Sequence, residues 1–230
     1  MTETNSYQGN HGWTLIFTLG ASAILLVMAL LLFSGCGAKK KAPEAEVKLD
    51  PGSQRIADWH ALILETRDAS EMEKLESVNS FFNQLEFVDD LYHWGKDDYW
   101  ATPREMLASN GGDCEDFATA KYFTLRQLDI PDEKMRLIYV KSLKLKQPHM
   151  VLGYYAEATA DPLILDNLVK EILSAPERPD LIPIYSFNGQ GLWLAKQEST
   201  DRLGGSERLS LWQELQLRFN QEAVAGPMPN

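Results

Sequence analysis

The sequence predicts an α+β fold in which N-terminal helices pack on an antiparallel sheet, with one hydrophobic helix ahead of this domain. Two observations predict it. Residues 53–130 carry apolar side chains at helical spacing, whereas short β-type runs separated by polar turns follow Pro131. Helices followed by hairpin-spaced strands are typical of α+β domains with antiparallel sheets.

The helical part begins near Ser53, where one face carries the apolar side chains of Ile56, Trp59, Leu62 and Ile63. A second helix is predicted from Ser70, because the sequence Ser-Glu-Met-Glu places Glu73 where a capping box requires it. The acid-rich, aromatic stretch 89–103 has no clear period, so we expect an ordered loop there.

Two more helices are expected around a Gly-Gly turn. Pro103 suits the first turn of a short helix. After Asn110-Gly111-Gly112, Asp113 is a good N-cap for a helix from Cys114 to about Leu128.

Strands and one last helix complete the prediction. The apolar stripe of that C-terminal helix indicates that it docks on the core. The predicted strands are 135–141, 149–155, 163–166, 184–187 and 191–195, and the helix stripe comprises Leu209, Trp212, Leu215 and Phe219.

Composition limits the function classes. A chain of 230 residues fits one domain with appendages. A net charge of −11 argues against a nucleic-acid partner, since phosphate binding needs clustered cations. Two cysteines are too few for a disulfide scaffold or a Cys-rich zinc site.

The N-terminal segment 13–33 runs for 21 residues without a charge. As a helix it would be about 31 Å long, which matches a hydrocarbon core of roughly 30 Å. A retained membrane anchor and a cleaved signal peptide are both open interpretations, and a buried core helix is disfavoured. Residues 1–36 are therefore assigned to export or attachment.

Two features follow the apolar run. Phe33-Ser34-Gly35-Cys36 resembles a lipobox in part, which makes Cys36 a candidate lipid attachment site. Lys39, Lys40 and Lys41 would by themselves favour a cytoplasmic flank, against export. Residues 37–52 are predicted to be a flexible tether and residues 53–225 the folded domain.

Cys114 is the candidate nucleophile. Most lone cysteines are small buried hydrophobes, but this one is predicted at the first turn of a helix, where the helix N-terminus stabilises a thiolate. Backbone N–H groups there can also bind an oxyanion. His149 opens one predicted strand and Asp166 closes the next, so pairing of the strands would bring a base and its orienting carboxylate together.

Several motifs resemble those of the bacterial transglutaminase-like cysteine proteinases, over about residues 77–195. They are WGKDDYWATPREML, GGDCEDFATAKYFTLRQLDIP, LIYVK, PHMVLGYY, PLILDN and YSFNGQGLWL, in that order. The resemblance implies a papain/transglutaminase-like fold. It also implies that Cys114 is the nucleophile, His149 the general base and Asp166 its orienting carboxylate.

The resemblance implies a biological role as well. Enzymes of this family cut a large repeat-containing surface adhesin near its N-terminus at a paired-alanine site, which releases the adhesin and disperses a biofilm. An inner-membrane cyclic-di-GMP receptor sequesters the protease when the nucleotide is abundant. The resemblance therefore implies an adhesin substrate, a receptor inhibitor and a folded domain that faces the periplasm while attached to a membrane through the N-terminus.

The acids beside Cys114 need an explanation, because Asp113, Glu115 and Asp116 should oppose thiolate formation. Helix capping is one explanation. A bound Ca²⁺ is the favoured one, since it prefers carboxylate oxygens and offsets their charge. The family resemblance supports calcium at Asp113 and Glu115. Apart from the resemblance, Asp97 and Asp98 are further oxygen donors in the sequence. No organic cofactor is expected.

Two other activities stay open for this sequence. The scaffold is shared with transglutaminases, so acyl transfer to an amine is an alternative to proteolysis. A non-catalytic binding module is the other. The aromatic residues Trp94, Tyr99 and Trp100 are expected to pack against the core rather than to line a substrate groove.

Overall fold

The computed structural model describes residues 49–194, 202–206 and 209–225, which belong to one compact unit beginning at residue 48. The predicted hydrophobic helix at 13–33, Cys36 and residues 37–48 of the predicted tether lie outside the described residues. Within the described ranges, no helix combines the length and the apolar character needed to cross a bilayer.

The helices confirm the predicted order. They are α1 (Pro51–Thr66), α2 (Glu71–Phe82), α3 (Asp90–His93), α4 (Pro103–Ser109), α5 (Cys114–Gln127) and α6 (Ser210–Ala225). The capping box at Ser70 is present, and Thr102 and Glu105 form another at the start of α4. Helix α3 lies inside the stretch for which a loop is expected, because Asp89 caps it by accepting the N–H of Leu91.

An antiparallel sheet follows helices α1 to α5, as predicted, but within the described residues it has seven strands where five were expected. Its strands are β3 (Met135–Ser142), β4 (Gln147–Tyr154), β5 (Leu163–Leu165), β6 (Leu173–Ser174), β7 (Leu181–Phe187), β8 (Leu192–Leu194) and β9 (Arg202–Gly204), in the spatial order β6-β5-β4-β3-β7-β8-β9. Strands β4 and β7 begin earlier than their apolar runs suggest, since Gln147 and Ile182 extend the pairing with β3 into exposed positions.

A separate pair of two-residue strands was not foreseen. Strand β1 (Glu86–Phe87) pairs in parallel with β2 (Gly111–Gly112). This pairing holds the chain that enters α3 next to the turn that precedes α5.

The main core lies between the helices and one face of the sheet. Helix α5 packs on β4, whose Met150, Leu152 and Tyr154 point into this core. Val151 points to the opposite face, where it forms a smaller cluster covered by Ala175 and Leu181. This alternation is what an extended strand with two covered faces requires.

Helix α6 docks on the core as predicted. Trp212 and Leu215 are fully buried, and the Trp212 ring stacks on Phe123 with centroids 5.4 Å apart. Helix α5 contacts α2, α4, β3 and β4, and its first residue, Cys114, lies beside Met150 near the start of β4.

Candidate active site

The turn before α5 determines where Cys114 lies. Asn110 adopts a left-handed conformation with φ of 70°, and Gly111 and Gly112 follow as β2. A Cβ on Gly112 would lie 2.4 Å from Oδ2 of Asp116, so a side chain does not fit there. Asp113 then occupies the N-cap position and Cys114 is the first residue of α5, half-buried.

The thiol of Cys114 lies in an acidic environment. Its Sγ donates to Oε2 of Glu115 at 3.0 Å. Burial, the charges of Glu115 and Asp113 and this hydrogen bond all raise the pKa of the thiol, while the backbone N–H of Met150 lowers it. The contact with Met150 places the thiol beside the residue that follows His149 in β4.

His149 and Asp166 meet, as the sequence predicts. Strands β4 and β5 pair with Leu152 opposite Leu165, so the two residues lie at the same end of the sheet. Nε2 of His149 lies 2.8 Å from Oδ1 of Asp166, and both residues are buried. This bond leaves Nδ1 of the imidazole for a proton from a nucleophile. In the described structure the thiol hydrogen bond goes to Glu115 and not to the imidazole.

Asp166 is held from several sides. Oδ2 accepts from Nη2 of Arg178 at 2.8 Å, and Oδ1 also accepts from the N–H of Leu168 at 3.1 Å. Burial raises the pKa of Asp166, but the hydrogen bonds from His149, Leu168 and Arg178 outweigh it and lower the pKa to about 2. Asp166 is therefore a stable anion at neutral pH.

The main chain of Asp166 is held as well. Its carbonyl oxygen accepts from Nζ of Lys121 at 3.0 Å and from Nδ2 of Asn83 at 2.9 Å. Lys121 is fully buried, and burial lowers its pKa to about 7. The sequence did not predict Lys121, Asn83 and Arg178 as neighbours of the site. For Lys121 a signal was present, because a lysine among the inward-facing residues of a helix requires a buried polar partner.

Five carboxylates converge beside the thiol. The groups whose ligand atoms lie within 4.8 Å of one another are Asp113 with Cys114 and Glu115, Asp90 with Asp113 and Asp116, and Asp90 with Asp98 and Glu115. The predicted Asp113 and Glu115 are both included, and so is Asp98. Asp97 is exposed and belongs to none of these groups.

The chemistry of this acid cluster fits a calcium ion. Oδ1 of Asp90 and Oδ1 of Asp113 are buried and have no hydrogen-bond partner. Burial and the charge of Glu115 raise the pKa of Asp90 to about 6, and burial with neighbouring acids raises the pKa of Asp113 as well. Carboxylate oxygens of this kind are the ligands that a hard divalent cation prefers, and the charge of the cation would offset the repulsion between them.

The aromatic residues near this cluster mainly pack, as expected. Trp100 is buried and its ring stacks on Phe187 with centroids 5.9 Å apart, while its Nε1 donates to Asp98 at 3.0 Å. Tyr99 is half-buried beneath the guanidinium of Arg218, 4.7 Å from its ring centroid. Trp100 thus connects the core to the acid cluster.

Comparisons with known proteins test the family resemblance seen in the sequence. Residues 57–195 match the family model of the bacterial transglutaminase-like cysteine proteinases. The chain belongs to this family. It is therefore a cysteine peptidase by descent, and its mixed helical and antiparallel architecture is that of the family.

Solved structures of a relative support the assignment of this chain to the family. LapG of Legionella pneumophila is 44% identical to this chain. The match to its EGTA-treated form has a TM-score of 0.69 and covers 75% of this chain and 91% of the LapG chain. The calcium-bound form has a TM-score of 0.66 at the same 44% identity, covering 74% and 92%. A comparison with curated proteins gives no match.

Proposed function

We propose that this protein is a calcium-dependent cysteine endopeptidase in which Cys114 attacks, His149 transfers protons and Asp166 orients the imidazole. The observation that carries the proposal is the bond of 2.8 Å between His149 Nε2 and Asp166 Oδ1, since the next residue, Met150, hydrogen-bonds through its N–H to the Cys114 thiol at the N-terminus of α5. These are the parts that cysteine-based acyl transfer requires.

The proposed reaction follows from the hydrogen bonds. His149 donates Nε2–H to Asp166, so its Nδ1 accepts the proton of the Cys114 thiol once that thiol has left Glu115. The thiolate sulfur bonds to the peptide carbonyl carbon, and backbone N–H groups at the start of α5 stabilise the oxyanion. The imidazolium protonates the leaving amine. Water then attacks the thioester carbonyl and gives one proton to His149, which returns it to the departing Cys114 sulfur; the acid product ionises to a carboxylate.

Calcium is proposed to bind at Asp90, Asp98, Asp113, Glu115 and Asp116. When bound, it would offset the negative charge that raises the pKa of the neighbouring thiol. The buried, unpartnered oxygens of Asp90 and Asp113 support this set. LapG of Legionella pneumophila has a calcium-bound structure, which also supports it.

The substrate and its control are proposed from the family resemblance. The substrate is a large repeat-containing adhesin cut at a paired-alanine site in its N-terminal region, which promotes biofilm dispersal. The inhibitor is an inner-membrane cyclic-di-GMP receptor. An enzyme that acts on this substrate and binds this inhibitor would work in the periplasm, which is the location we propose.

Substitution of the nucleophile tests the activity. Cys114→Ala should abolish cleavage of an adhesin fragment that contains the paired alanines, with no change in melting temperature. A fragment with the alanines replaced by glutamates should resist the wild-type enzyme. Mass spectrometry should give two shorter peptides, whereas an adduct with an added amine would favour acyl transfer. Undiminished cleavage by Cys114→Ala would refute the assignment.

Chelation tests the metal. EGTA should suppress cleavage and added Ca²⁺ should restore it, and Asp113→Asn should weaken the calcium response. Asp97→Asn is the matched control, because Asp97 is exposed and lies outside the acid cluster. Equal responses of the two variants, or activity indifferent to EGTA, would remove calcium from the proposal.

Membrane attachment through the N-terminus is tested separately. Fractionation should place the protein with membranes, and the mass of its N-terminal peptide should show either an acyl chain on Cys36 or an intact segment 13–33. A shortened N-terminus without Cys36 would instead show release after signal cleavage.

A further inference from the structure

Arg178 lies between two carboxylates, one of which belongs to the proposed triad. Its Nη2 is 2.8 Å from Oδ2 of Asp166 and 3.0 Å from Oδ2 of Asp180, while its Nε is 3.0 Å from Oδ1 of Asp180. Asp180 therefore receives two parallel N–H bonds from the guanidinium, and Asp166 receives one. Such a two-pronged contact fixes the plane of an arginine side chain.

This arginine is buried rather than a surface charge. Its side chain is 4% exposed and that of Asp166 is 0% exposed. A guanidinium is costly to remove from water unless its charge is paired, so its presence here depends on the two aspartates. The converse also holds, because Asp166 without Arg178 would be a buried anion with fewer partners.

The two oxygens of Asp166 have separate partners. Oδ2 is occupied by Arg178, whereas Oδ1 faces Nε2 of His149. Rotation of the carboxylate would break both bonds at once. Arg178 therefore fixes the plane of the carboxylate, and the acceptor oxygen held toward Nε2 in this way keeps the proton on that imidazole nitrogen.

The backbone around Arg178 holds this geometry. Its N–H donates to the carbonyl of Ala175 at 3.0 Å, and its carbonyl accepts from the N–H of Leu181 at 3.1 Å. Ala175 and Leu181 both pack on the outer face of the sheet. The arginine is thus anchored to the sheet that carries His149, independently of α5.

We propose that Arg178, itself fixed by Asp180, is a positioning residue that orients Asp166 and thereby the imidazole of His149 for proton transfer. The proposal rests on the triad assignment above. It adds a fourth residue, whose side chain donates to Asp166 and Asp180 and which acts through Asp166.

Kinetics provide the first test. Arg178→Gln should lower kcat by about 10²-fold with KM unchanged, since misplacement of a reacting group by about 1 Å costs that much. Arg178→Lys keeps the charge but not the planar fork, so it should recover part of kcat. Asp180→Asn leaves Asp166 paired with the arginine and should cause a smaller loss of kcat.

The imidazole proton provides a readout that does not depend on cleavage. His149 is 2% exposed, so its Nε2–H exchanges slowly with water and should give a downfield proton signal in NMR spectra. In the Cys114→Ala background this signal, assigned by its absence in a His149→Gln variant, should persist. It should shift or broaden when Arg178→Gln is added.

A matched control separates positioning from stability. Arg126 pairs with the buried Asp132 at 2.9 Å, far along α5 from Cys114. Arg126→Gln should lower the melting temperature without changing the imidazole signal. Wild-type kcat and an unchanged signal in folded Arg178→Gln would overturn the proposal. If that variant does not fold, the same two results in both Arg178→Lys and Asp180→Asn would overturn it.

Failure of the proposed function looks different. In that case the wild-type protein would not cleave the adhesin fragment, or Cys114→Ala would still cleave it. The effect of Arg178 on the imidazole signal would remain measurable in either case.

Discussion

Nε2 of His149 lies 2.8 Å from Oδ1 of Asp166, although 17 residues separate them in the chain. Antiparallel pairing of β4 with β5 creates this contact, because it places the beginning of one strand beside the end of the next. The contact leaves Nδ1 as the imidazole nitrogen that would take the thiol proton in the proposed triad. Loss of the carboxylate should therefore affect proton transfer more than substrate binding.

Asp166→Asn should reduce kcat by about 10²–10⁴-fold, the range that general acid–base catalysis contributes. An amide can donate to the imidazole and so favour the wrong tautomer, and it does not stabilise an imidazolium. Steady-state kinetics on the adhesin fragment measure the effect.

Asp129→Asn is the control for this change. Asp129 is exposed and has φ of 63°, a conformation that asparagine also tolerates. Its activity should equal that of the wild type. A kcat for Asp166→Asn within the error of this control would contradict the role of Asp166.

Acid should remove the stability that Asp166 contributes. Its pKa is lowered from 3.8 to about 2, so the folded state favours the anion and the contribution is complete above the unfolded pKa. A difference of this size corresponds to about 2 kcal/mol. The contribution is lost as pH falls through the folded pKa.

Urea unfolding at several pH values measures this effect. The free energy of unfolding of wild type minus that of Asp166→Asn should fall by about 2 kcal/mol between about pH 5 and pH 2. Other acids titrate equally in both proteins and cancel in the difference. A difference that is independent of pH would show that Asp166 has an ordinary pKa.

Helix α6 should be essential for stability through one side chain. Trp212 is fully buried, with its ring stacked on Phe123 and edge-on to Phe187. Trp212→Ala should lower the free energy of unfolding by about 3–5 kcal/mol. Leu217→Ala, on the same helix but 63% exposed, should change it by less than about 0.5 kcal/mol. Similar losses for both would mean that α6 is not docked by Trp212.

The sequence predicted the parts of the site that depend on periodic elements. His149 and Asp166 were paired correctly, since alternating apolar runs define where strands begin and end. Asp90 was not foreseen beside Asp113, because the contact depends on the pairing of two-residue strands at Glu86 and Gly111, which leave no pattern. Arg178 lies in an irregular segment, where the spacing of residues does not indicate which way a side chain points.

The glycine before Asp113 should be essential to the geometry of the nucleophile. A Cβ on Gly112 would lie 2.4 Å from Oδ2 and 2.7 Å from Cβ of Asp116. Asp116 is buried, and its carboxylate accepts the N–H of Ala101 at 2.6 Å and that of Asp113 at 3.3 Å. A methyl group at position 112 must therefore displace a side chain that holds the first turn of α5.

Gly112→Ala should lower the free energy of unfolding by about 1–3 kcal/mol, as overpacking usually does. It should also reduce kcat in the protein that remains folded, because the N-cap and Cys114 move with Asp116. Gly95→Ala is the control, because Gly95 has φ of 67° and a methyl group there would meet nothing within 4 Å. This variant should lose roughly 1 kcal/mol of stability through backbone strain, and its kcat should equal that of the wild type. Equal kcat values for both variants, measured below their melting temperatures, would show that Gly112 serves stability alone.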